Sequence, residues 1–229
     1  MQLLLGTNNR GKIIEISEVL KDLPIEIVSP RSLSMTEDPE ESGKTFEENA
    51  IQKAKFYFSR TGLPTVADDS GIIVEALKDE LGLHTRRWGA GQNATDEEWI
   101  DFFLKRMRKE KNKRACFICT LAYISSPKTG SPLPAGKPRR SRATWQAGGV
   151  GEGLGVRQAT AKVFEGRCSG VITDSLEADY LPGLPISACF KPDGFDCVFS
   201  ALKIEQKNST SHRGRAALQL AGYLRITLA

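Results

Sequence analysis

Apolar residues recur every three or four positions in four segments of the chain, the spacing that places them on one face of a helix. These segments cover about 12–21, about 45–60, a stretch that begins at Thr95 and a last stretch from about Ser211. Residues 95–98 also match a capping box, in which side chains satisfy the free backbone N–H groups at a helix start. The pattern therefore predicts four amphipathic helices.

Short apolar runs between these helices predict strands. The first two runs are 2–5 and 64–67, and we expect the second strand to end at Ala67, where polar residues begin. Residues 72–74 would form the next extended piece. Segment 115–125 is almost continuously apolar and rich in strand formers, which is typical of a central strand. Strands that alternate with helices predict an α/β fold with a largely parallel or mixed sheet.

Composition excludes several classes of protein. A length of 229 residues fits one large domain or two small ones. With 40% hydrophobic and 26% charged residues, the chain is neither disordered nor fibrous. Its net charge of +4 is mild, so charge alone does not indicate a nucleic-acid binder.

The lengths of the apolar runs predict where the protein is located, and the number of cysteines predicts their redox state. No apolar run approaches the roughly 20 residues of a membrane span, and the leucines near the start are too few for a signal-peptide core. Five cysteines, an odd number, without a secretion signal predict reduced thiols in the cytoplasm. Cys116 and Cys119 have metal-ligand spacing, but on a strand their thiols would point to opposite faces, so we interpret them as structural.

One segment, about 126–160, has the composition of a surface loop inserted into the fold. It combines several prolines with a cluster of glycines at 148–155. The basic run 137–142 lies inside it and could contact RNA, although solvated loop charge is the more ordinary interpretation.

A polar segment at 7–12 joins the first strand to the first helix. Backbone N–H groups at such a turn point outwards, and the helix dipole favours an anion there. Thr7 and Asn8 add hydrogen-bonding groups, and Lys12 adds a positive charge. The segment could cradle a phosphate. A polar loop with an Asn helix cap is the structural alternative.

Acidic residues form the second candidate group. Glu48 lies three residues after Thr45, so it could simply close a helix start. Asp68 and Asp69 could likewise belong to a turn. At the carboxyl end of a strand, however, they would lie where α/β sheets bind ligands. Magnesium held by one or two carboxylates and by substrate oxygens is what phosphate chemistry needs.

Basic residues form the third candidate group, just before or inside the start of the last helix. Lys207, His212 and Arg213 are potential cations there. A helix N-terminus disfavours cations unless an anion or an electron-rich ligand also binds. The alternative is a solvated basic turn.

Together these residues resemble the inosine triphosphate pyrophosphatase family, which hydrolyses deaminated purine nucleoside triphosphates. Five motifs carry the resemblance in order and spacing, at 7–12, 42–50, 67–71, 164–172 and 211–214. The resemblance implies a single domain over 1–229, with an elongated mixed central sheet flanked by helices. It also implies two lobes around an active-site cleft and a homodimer.

The resemblance also implies roles for matching residues. Asp69 would be catalytic, orienting or activating the attacking water, and would bind Mg²⁺ together with Glu48, while Asp68 would support the site. The predicted substrate-binding residues are Thr7, Asn8, Asn9, Arg10, Gly11, Lys12, Ser70, Leu184, Ser187, Lys207, His212 and Arg213. The implied reaction converts ITP, dITP or XTP to the monophosphate and pyrophosphate.

The base-recognition motif is where the chain departs from this family. The family has Phe-Gly-Tyr-Asp, and this chain has Leu184-Pro185-Ile186-Ser187 at that position. The stacking ring and the carboxylate for the base edge are both replaced. Two further functions therefore stay open: a Maf-type or otherwise re-specified nucleotide pyrophosphatase, and a non-catalytic nucleotide- or RNA-binding module.

Overall fold

The computed structural model describes residues 1–37, 39–77, 80–91, 93–126 and 160–228. Within these residues the helices are α1 (Arg10–Leu20), α2 (Phe46–Thr61), α3 (Asp96–Met107), α4 (Ile204–Thr210) and α5 (His212–Leu228). The strands are β1 (Gln2–Leu5), β2 (Glu26–Val28), β3 (Thr65–Val74), β4 (Arg114–Ile124), β5 (Lys162–Ile172) and β6 (Phe190–Pro192). The predicted loop and its basic run lie outside the described residues, apart from positions 126 and 160.

One mixed sheet joins the six described strands in the order β2-β1-β3-β4-β5-β6. Strand β1 runs parallel to β2 and β3, and the pairs from β3 to β6 are antiparallel. Long, continuous pairing of β4 with both β3 and β5 makes β4 central, as its apolar sequence predicts. The predicted α/β class with a mixed sheet is confirmed.

Strand β3 does not end at Ala67, so that prediction is wrong. It continues through Asp68 and Asp69 to Val74, and β4 pairs with it along its whole length. Asp, Ser and Gly have turn propensity, but neighbouring strands and side-chain partners override it here. The strand that does end at this point is β1, whose Leu5 pairs with Val66.

Helix boundaries agree with the sequence pattern to within a turn. Helix α1 begins at Arg10, two residues earlier than expected, because the Asn9 side chain caps it. At α3 the capping box is confirmed: the Thr95 side chain accepts the Glu98 N–H, and the Glu98 carboxylate accepts the Thr95 N–H. Short side-chain bonds at helix starts thus set both boundaries.

Buried apolar side chains of the described residues form separate cores. One surrounds α3, with Trp99 and Phe103 packed near β6. Another packs α1 and α5 together on one face of the sheet and includes Ile16 and Leu220. A third, smaller core packs α2 on the sheet through Ala54 and Ala122.

The structure also tests the predictions of reduced cysteines and of no membrane span. All five cysteines, each a described residue, are free thiols. Cys119 is buried and Cys116 is half-buried on β4, in keeping with a structural role. In the described part of the chain, no helix has both the length and the apolarity to cross a membrane.

Candidate functional site

The loop between β1 and α1 is held in shape by its own side chains. The Asn9 carbonyl oxygen accepts the Lys12 N–H at 3.1 Å, and the Thr7 hydroxyl accepts the Asn9 N–H at 3.2 Å. Gly6 has no room for a side chain, because a Cβ there would lie 2.7 Å from a ring carbon of Tyr57. The start of α1 is therefore fixed before any ligand binds.

The predicted phosphate-binding residues of this loop have different surroundings. Asn9 and Lys12 line a cavity. The Asn8 side chain instead accepts the Arg31 N–H at 3.1 Å, and Arg10 is exposed. Gly11 is buried, and its backbone N–H contributes to the packing of the loop.

Asp68 is the centre of a buried charge cluster. Lys12 bonds one of its oxygens, and Arg213 Nε lies 3.3 Å from the other. The Ser70 hydroxyl and the Cys119 thiol also point at this carboxylate, at 3.2 and 3.1 Å. Burial alone would raise the pKa of Asp68, but Lys12 and Arg213 outweigh it and hold the pKa well below its usual range.

Glu15 extends the cluster along α1. Its carboxylate bridges Lys207 Nζ and Arg213 Nη1, each at 2.5 Å, and all three side chains are buried. Burial raises the pKa of Glu15, and the two cations lower it further than burial raises it. A continuous network therefore runs from Lys207 through Glu15, Arg213 and Asp68 to Lys12.

Asp69 faces the other side of the sheet, because successive residues of a strand alternate. Lys53 Nζ lies 2.8 Å from one of its oxygens, and the Asn49 amide donates to the other at 3.3 Å. Lys53 also contacts Glu41 at 3.0 Å. Burial raises the pKa of Asp69, in contrast with Asp68. The adjacent carboxylates are thus two separate groups rather than one acidic pair.

Glu48 has a local structural partner. Its carboxylate is exposed and accepts the Lys44 N–H at 2.6 Å, while the Thr45 hydroxyl accepts the Glu48 N–H at 3.0 Å. These bonds close the start of α2. Glu41 is the carboxylate that shares a cation, Lys53, with Asp69.

The donor set fits magnesium bound together with phosphate. Among the described residues there is no group of three or more His, Cys, Asp or Glu side chains that could hold a metal. Mg²⁺ does not need one, since it usually binds one or two carboxylates, water and phosphate oxygens. Asp69 with Glu41 or Glu48 supplies that number of carboxylates.

A cavity of about 190 Å³ lies between the start of α1 and the 183–187 turn. Its polar lining consists of Asn9, Lys12, Glu15, Ser70, Thr85, Ser187, Lys207, His212 and Arg213. Its apolar lining includes Trp99, Phe117, Leu184, Pro185, Ile186 and Phe199. Cations and flat rings therefore border the same space, which suits a charged ligand with a planar ring.

The basic residues near α5 are buried, so the alternative of a solvated basic turn is wrong. Lys207 is 6% exposed and Arg213 is 3% exposed. His212 stacks on Phe117, with ring centroids 4.5 Å apart and planes 9° from parallel. Burial, reinforced by Arg213, lowers the pKa of His212 well below its usual value, so it is neutral at pH 7 rather than a cation.

The 183–187 turn packs directly on the α1 loop. The Asn9 amide donates to the Gly183 carbonyl at 3.1 Å, and the Gly11 N–H donates to the Pro182 carbonyl at 3.2 Å. Leu184 covers Gly11, where a Cβ would lie 2.7 Å from Leu184 side-chain carbons. Ser187 donates its hydroxyl hydrogen to the Leu184 carbonyl at 2.6 Å. The predicted base-binding residues therefore border the cavity beside the predicted phosphate-binding loop.

Several residues of the site were not predicted from the sequence. Among them are Glu15, Glu41, Asn49, Lys53, Trp99 and Phe117. Asn49 and Lys53 lie four residues apart on α2, a spacing that puts them on one helix face and could have suggested a shared role. The two aromatic residues carry no such signal, because their spacing is that of ordinary core residues.

The chain as a whole was compared with known proteins. The model of the Ham1 family matches residues 3–223. The chain belongs to the Ham1 family. The resemblance inferred from the five motifs is therefore confirmed.

Curated relatives of this Ham1 chain align over nearly its whole length. The dITP/XTP pyrophosphatase of Leptospira interrogans is 34% identical over 224 residues, which cover 98% of this chain and 97% of the relative. That of Photorhabdus laumondii is 32% identical over 226 residues and covers 98% of both.

Solved structures give the same result for the fold. The Staphylococcus aureus Ham1 protein superposes with a TM-score of 0.71 at 28% identity, covering 99% of this chain and 100% of that one. A Ham1 protein of Coxiella burnetii gives a TM-score of 0.71 at 29% identity, covering 100% of both chains. Both similarities therefore extend over essentially the whole length of the chain.

Proposed function

We propose that this Ham1 chain hydrolyses deaminated purine nucleoside triphosphates, ITP, dITP and XTP, to the monophosphate and pyrophosphate, with Mg²⁺ as cofactor. Its enzyme class is nucleoside triphosphate pyrophosphatase. The observation that carries the substrate proposal is a cavity whose lining combines Lys12, Lys207 and Arg213 with aromatic rings. The reaction would remove deaminated nucleotides from the nucleotide pool.

The triphosphate would bind at the start of α1. Residues 7–12 lie at the positive end of the α1 dipole, which favours an anion, and Lys12 adds a positive charge. Lys12 and Arg213 now contact Asp68, so the triphosphate would bind beside a cluster that is already charge-balanced. Ser70, bonded to Asp68 and Arg213, lies at the same place and can turn its hydroxyl to a phosphate oxygen.

Asp69 would orient the attacking water and accept its proton from the α2 side of β3, where that strand extends beyond the end of β1 at Leu5. The water oxygen forms a bond to the α-phosphorus while the bond from that phosphorus to the bridging oxygen breaks, and pyrophosphate leaves. A pKa raised by burial makes Asp69 a better proton acceptor than an exposed carboxylate. Lys12 and the α1 dipole would stabilise the charge on the leaving pyrophosphate.

Magnesium would be held by Asp69 with a second carboxylate, Glu48 or Glu41. When bound, it neutralises phosphate oxygens and so lowers the barrier to nucleophilic attack. Glu48 follows from the family resemblance, and Glu41 from the cation that it shares with Asp69. In the protein itself, Asp69 is buried against α2, and the Glu48 carboxylate accepts the Lys44 N–H at the start of that helix.

Pyrophosphate release from ITP, XTP, GTP, ATP and dUTP tests the proposal, with Mg²⁺ and then with EDTA. Metal-dependent release that is fastest with ITP and XTP is the expected result. Fast release from dUTP instead would support a re-specified pyrophosphatase, an alternative that the replaced residues Leu184 and Ser187 favour. No release from any substrate would contradict an enzymatic function and favour a binding module.

Quaternary structure and location are proposed on the same basis. We expect a homodimer in the cytoplasm without membrane association. Sedimentation of the purified chain tests the dimer. RNA binding through the basic run 137–142 is not expected, and steeply salt-dependent RNA affinity would overturn that expectation.

A further inference from the structure

Trp99 brings an unused hydrogen-bond donor to the lining of the cavity. Its side chain is 2% exposed, and its ring stacks on Phe103 with centroids 5.3 Å apart. The indole Nε1 is buried and has no hydrogen-bond partner among the described residues. Buried tryptophan N–H groups normally find an acceptor, so this atom points to a ligand that supplies one.

Neighbouring polar groups of the cavity are already engaged. Ser187 donates to the Leu184 carbonyl, and Lys207 and Arg213 are ion-paired with Glu15. His212 Nδ1 is the other ring nitrogen of the lining that is buried without a partner in the described segments. Trp99 therefore offers an N–H donor that a ligand can use without first breaking a protein bond.

The aromatic surface of the cavity comes from three different elements. Trp99 belongs to α3, Phe117 to β4 and Phe199 to the short helical turn at 199–201. The 184–187 turn, in contrast, adds only aliphatic groups and one hydroxyl. A base bound in this cavity would therefore lie among aromatic side chains, with Trp99 of α3 lining the same space.

We propose that Trp99 is a specificity-determining residue that donates its indole N–H to the carbonyl oxygen on the six-membered ring of the base. This inference rests on the proposed function, since it assumes that the cavity takes a purine nucleotide. A carbonyl oxygen accepts the hydrogen bond. The amino group of adenine would place two N–H donors against each other and leave the indole unpartnered.

The test compares ITP with purine riboside triphosphate, which lacks both the ring carbonyl of ITP and the hydrogen on the adjacent N1. The loss of the indole donor in one variant then isolates the contribution of the carbonyl. In the wild type, KM should be lower for ITP. Trp99→Phe keeps a stacking ring and removes the donor, so it should raise KM for ITP by roughly tenfold and leave kcat nearly unchanged. KM for purine riboside triphosphate should stay the same.

Trp88→Phe is the matched control. Trp88 belongs to the same aromatic cluster, 5.2 Å from Phe102 and 6.2 Å from Phe103 between ring centroids, but lies outside the cavity lining. Its replacement should change KM for neither substrate. Equal increases for both substrates in Trp99→Phe would show a purely structural role, and no increase for either would show that the indole N–H is not used. Both results overturn the inference.

Binding of products separates this inference from the proposed function. Calorimetry with IMP and purine riboside monophosphate requires no turnover. It compares the wild type with Trp99→Phe. Tighter binding of IMP, lost in Trp99→Phe, supports the donor even if no triphosphate is hydrolysed. Equal binding of the two monophosphates by the wild type overturns it, whatever the result of the hydrolysis assay.

Discussion

Asp68 and Asp69 are adjacent in sequence but have opposite electrostatic environments. Asp68 lies among Lys12, Arg213 and two hydroxyl or thiol donors, which hold its pKa well below the usual range. Burial raises the pKa of Asp69 despite its contact with Lys53. At the residue scale, the first is therefore suited to a permanent structural charge and the second to proton transfer.

Replacing Asp69 should abolish turnover without unfolding the protein. Asp69→Asn removes the proton acceptor but keeps the shape and the contact with Asn49, so kcat should fall by about 100-fold or more. Steady-state pyrophosphate release measures this, and binding of ITP in the absence of Mg²⁺, measured by calorimetry, should change little. Full turnover in this variant would mean that the proposed mechanism is wrong.

Replacing Asp68 should act mainly on stability. Asp68→Asn leaves Arg213 and Lys12 without their shared carboxylate, so unfolding free energy at pH 7 should fall by about 3–5 kcal/mol. Because the folded-state pKa is lowered, this contribution is complete above the ordinary pKa of 3.8 and declines as pH falls below it. Urea unfolding of the wild type and of Asp68→Asn at pH 7 and pH 3 measures this loss of unfolding free energy. A loss that is equally large at both pH values would contradict the lowered pKa of Asp68.

Glu41 and Glu48 can be separated by their magnesium dependence. Glu41→Gln should raise the Mg²⁺ concentration for half-maximal activity, because Glu41 converges with Asp69 on one cation. Glu48→Gln keeps an oxygen for the Lys44 N–H and should have the smaller effect. Titrations of both variants decide the matter, and a larger effect of Glu48→Gln would identify it as the second ligand.

At the scale of elements, the junction of α4 and α5 sets the relative positions of Lys207 and Arg213. Gly214 allows this junction, because a Cβ there would lie 1.9 Å from the Asn208 carbonyl oxygen. The Ser211 hydroxyl, which accepts the Gly214 N–H at 3.0 Å, tightens the same turn. Two helices thus bring two cations to one carboxylate, Glu15.

Two glycines of α5 give a matched test of this junction. Gly214→Ala should lower the free energy of unfolding by at least about 2 kcal/mol, since backbone must move to admit the methyl group. Gly222→Ala, with nothing within 4 Å of the added Cβ, should raise it by about 0.5–1 kcal/mol through helix propensity. Urea unfolding measures both, and similar values for the two variants would show that the close approach is unimportant.

Local pattern predicted most elements, and long-range pairing decided what it missed. Helical spacing and the Thr95 capping box located α1, α2, α3 and α5 because the information lies within a few residues. The sequence pattern predicts the end of β3 at Ala67, because Asp, Ser and Gly favour turns. What extends the strand is the pairing of Asp68 and Asp69 with β4, about 50 residues away, which a local pattern does not show.

The candidate site likewise contains residues that the sequence identified and residues that only the structure revealed. Lys12, Asp69 and Arg213 belong to motifs, so the resemblance identified them. Glu15 and Trp99 became visible only through their neighbours, since nothing in a single helix shows which buried residue borders a cavity.

At the scale of the whole molecule, the two larger cores protect most thiols. Burial raises the pKa of Cys168 to about 11 and that of Cys189 to about 12. At pH 8 both are therefore thiols rather than reactive thiolates.

Alkylation should consequently report global unfolding. Iodoacetamide at pH 8 should leave Cys119, Cys168 and Cys189 unmodified in the native protein and modify all three in urea. Only unfolding lets these thiols ionise and lets the reagent reach them. Mass spectrometry of peptides measures the modification, with the half-buried Cys116 and Cys197 as internal controls. Rapid native labelling of Cys189 would contradict the described burial.

The alternation of side chains along β3 constrains how the gene of this protein can vary. Inserting one residue before Asp68 would turn that carboxylate towards α2 and send Asp69 among the cations of α1 and α5. Both carboxylates would still be present, but each would face the opposite side of the sheet, and the chemistry would be lost without the loss of a single functional residue. Insertions and deletions in this strand should therefore survive selection only in pairs.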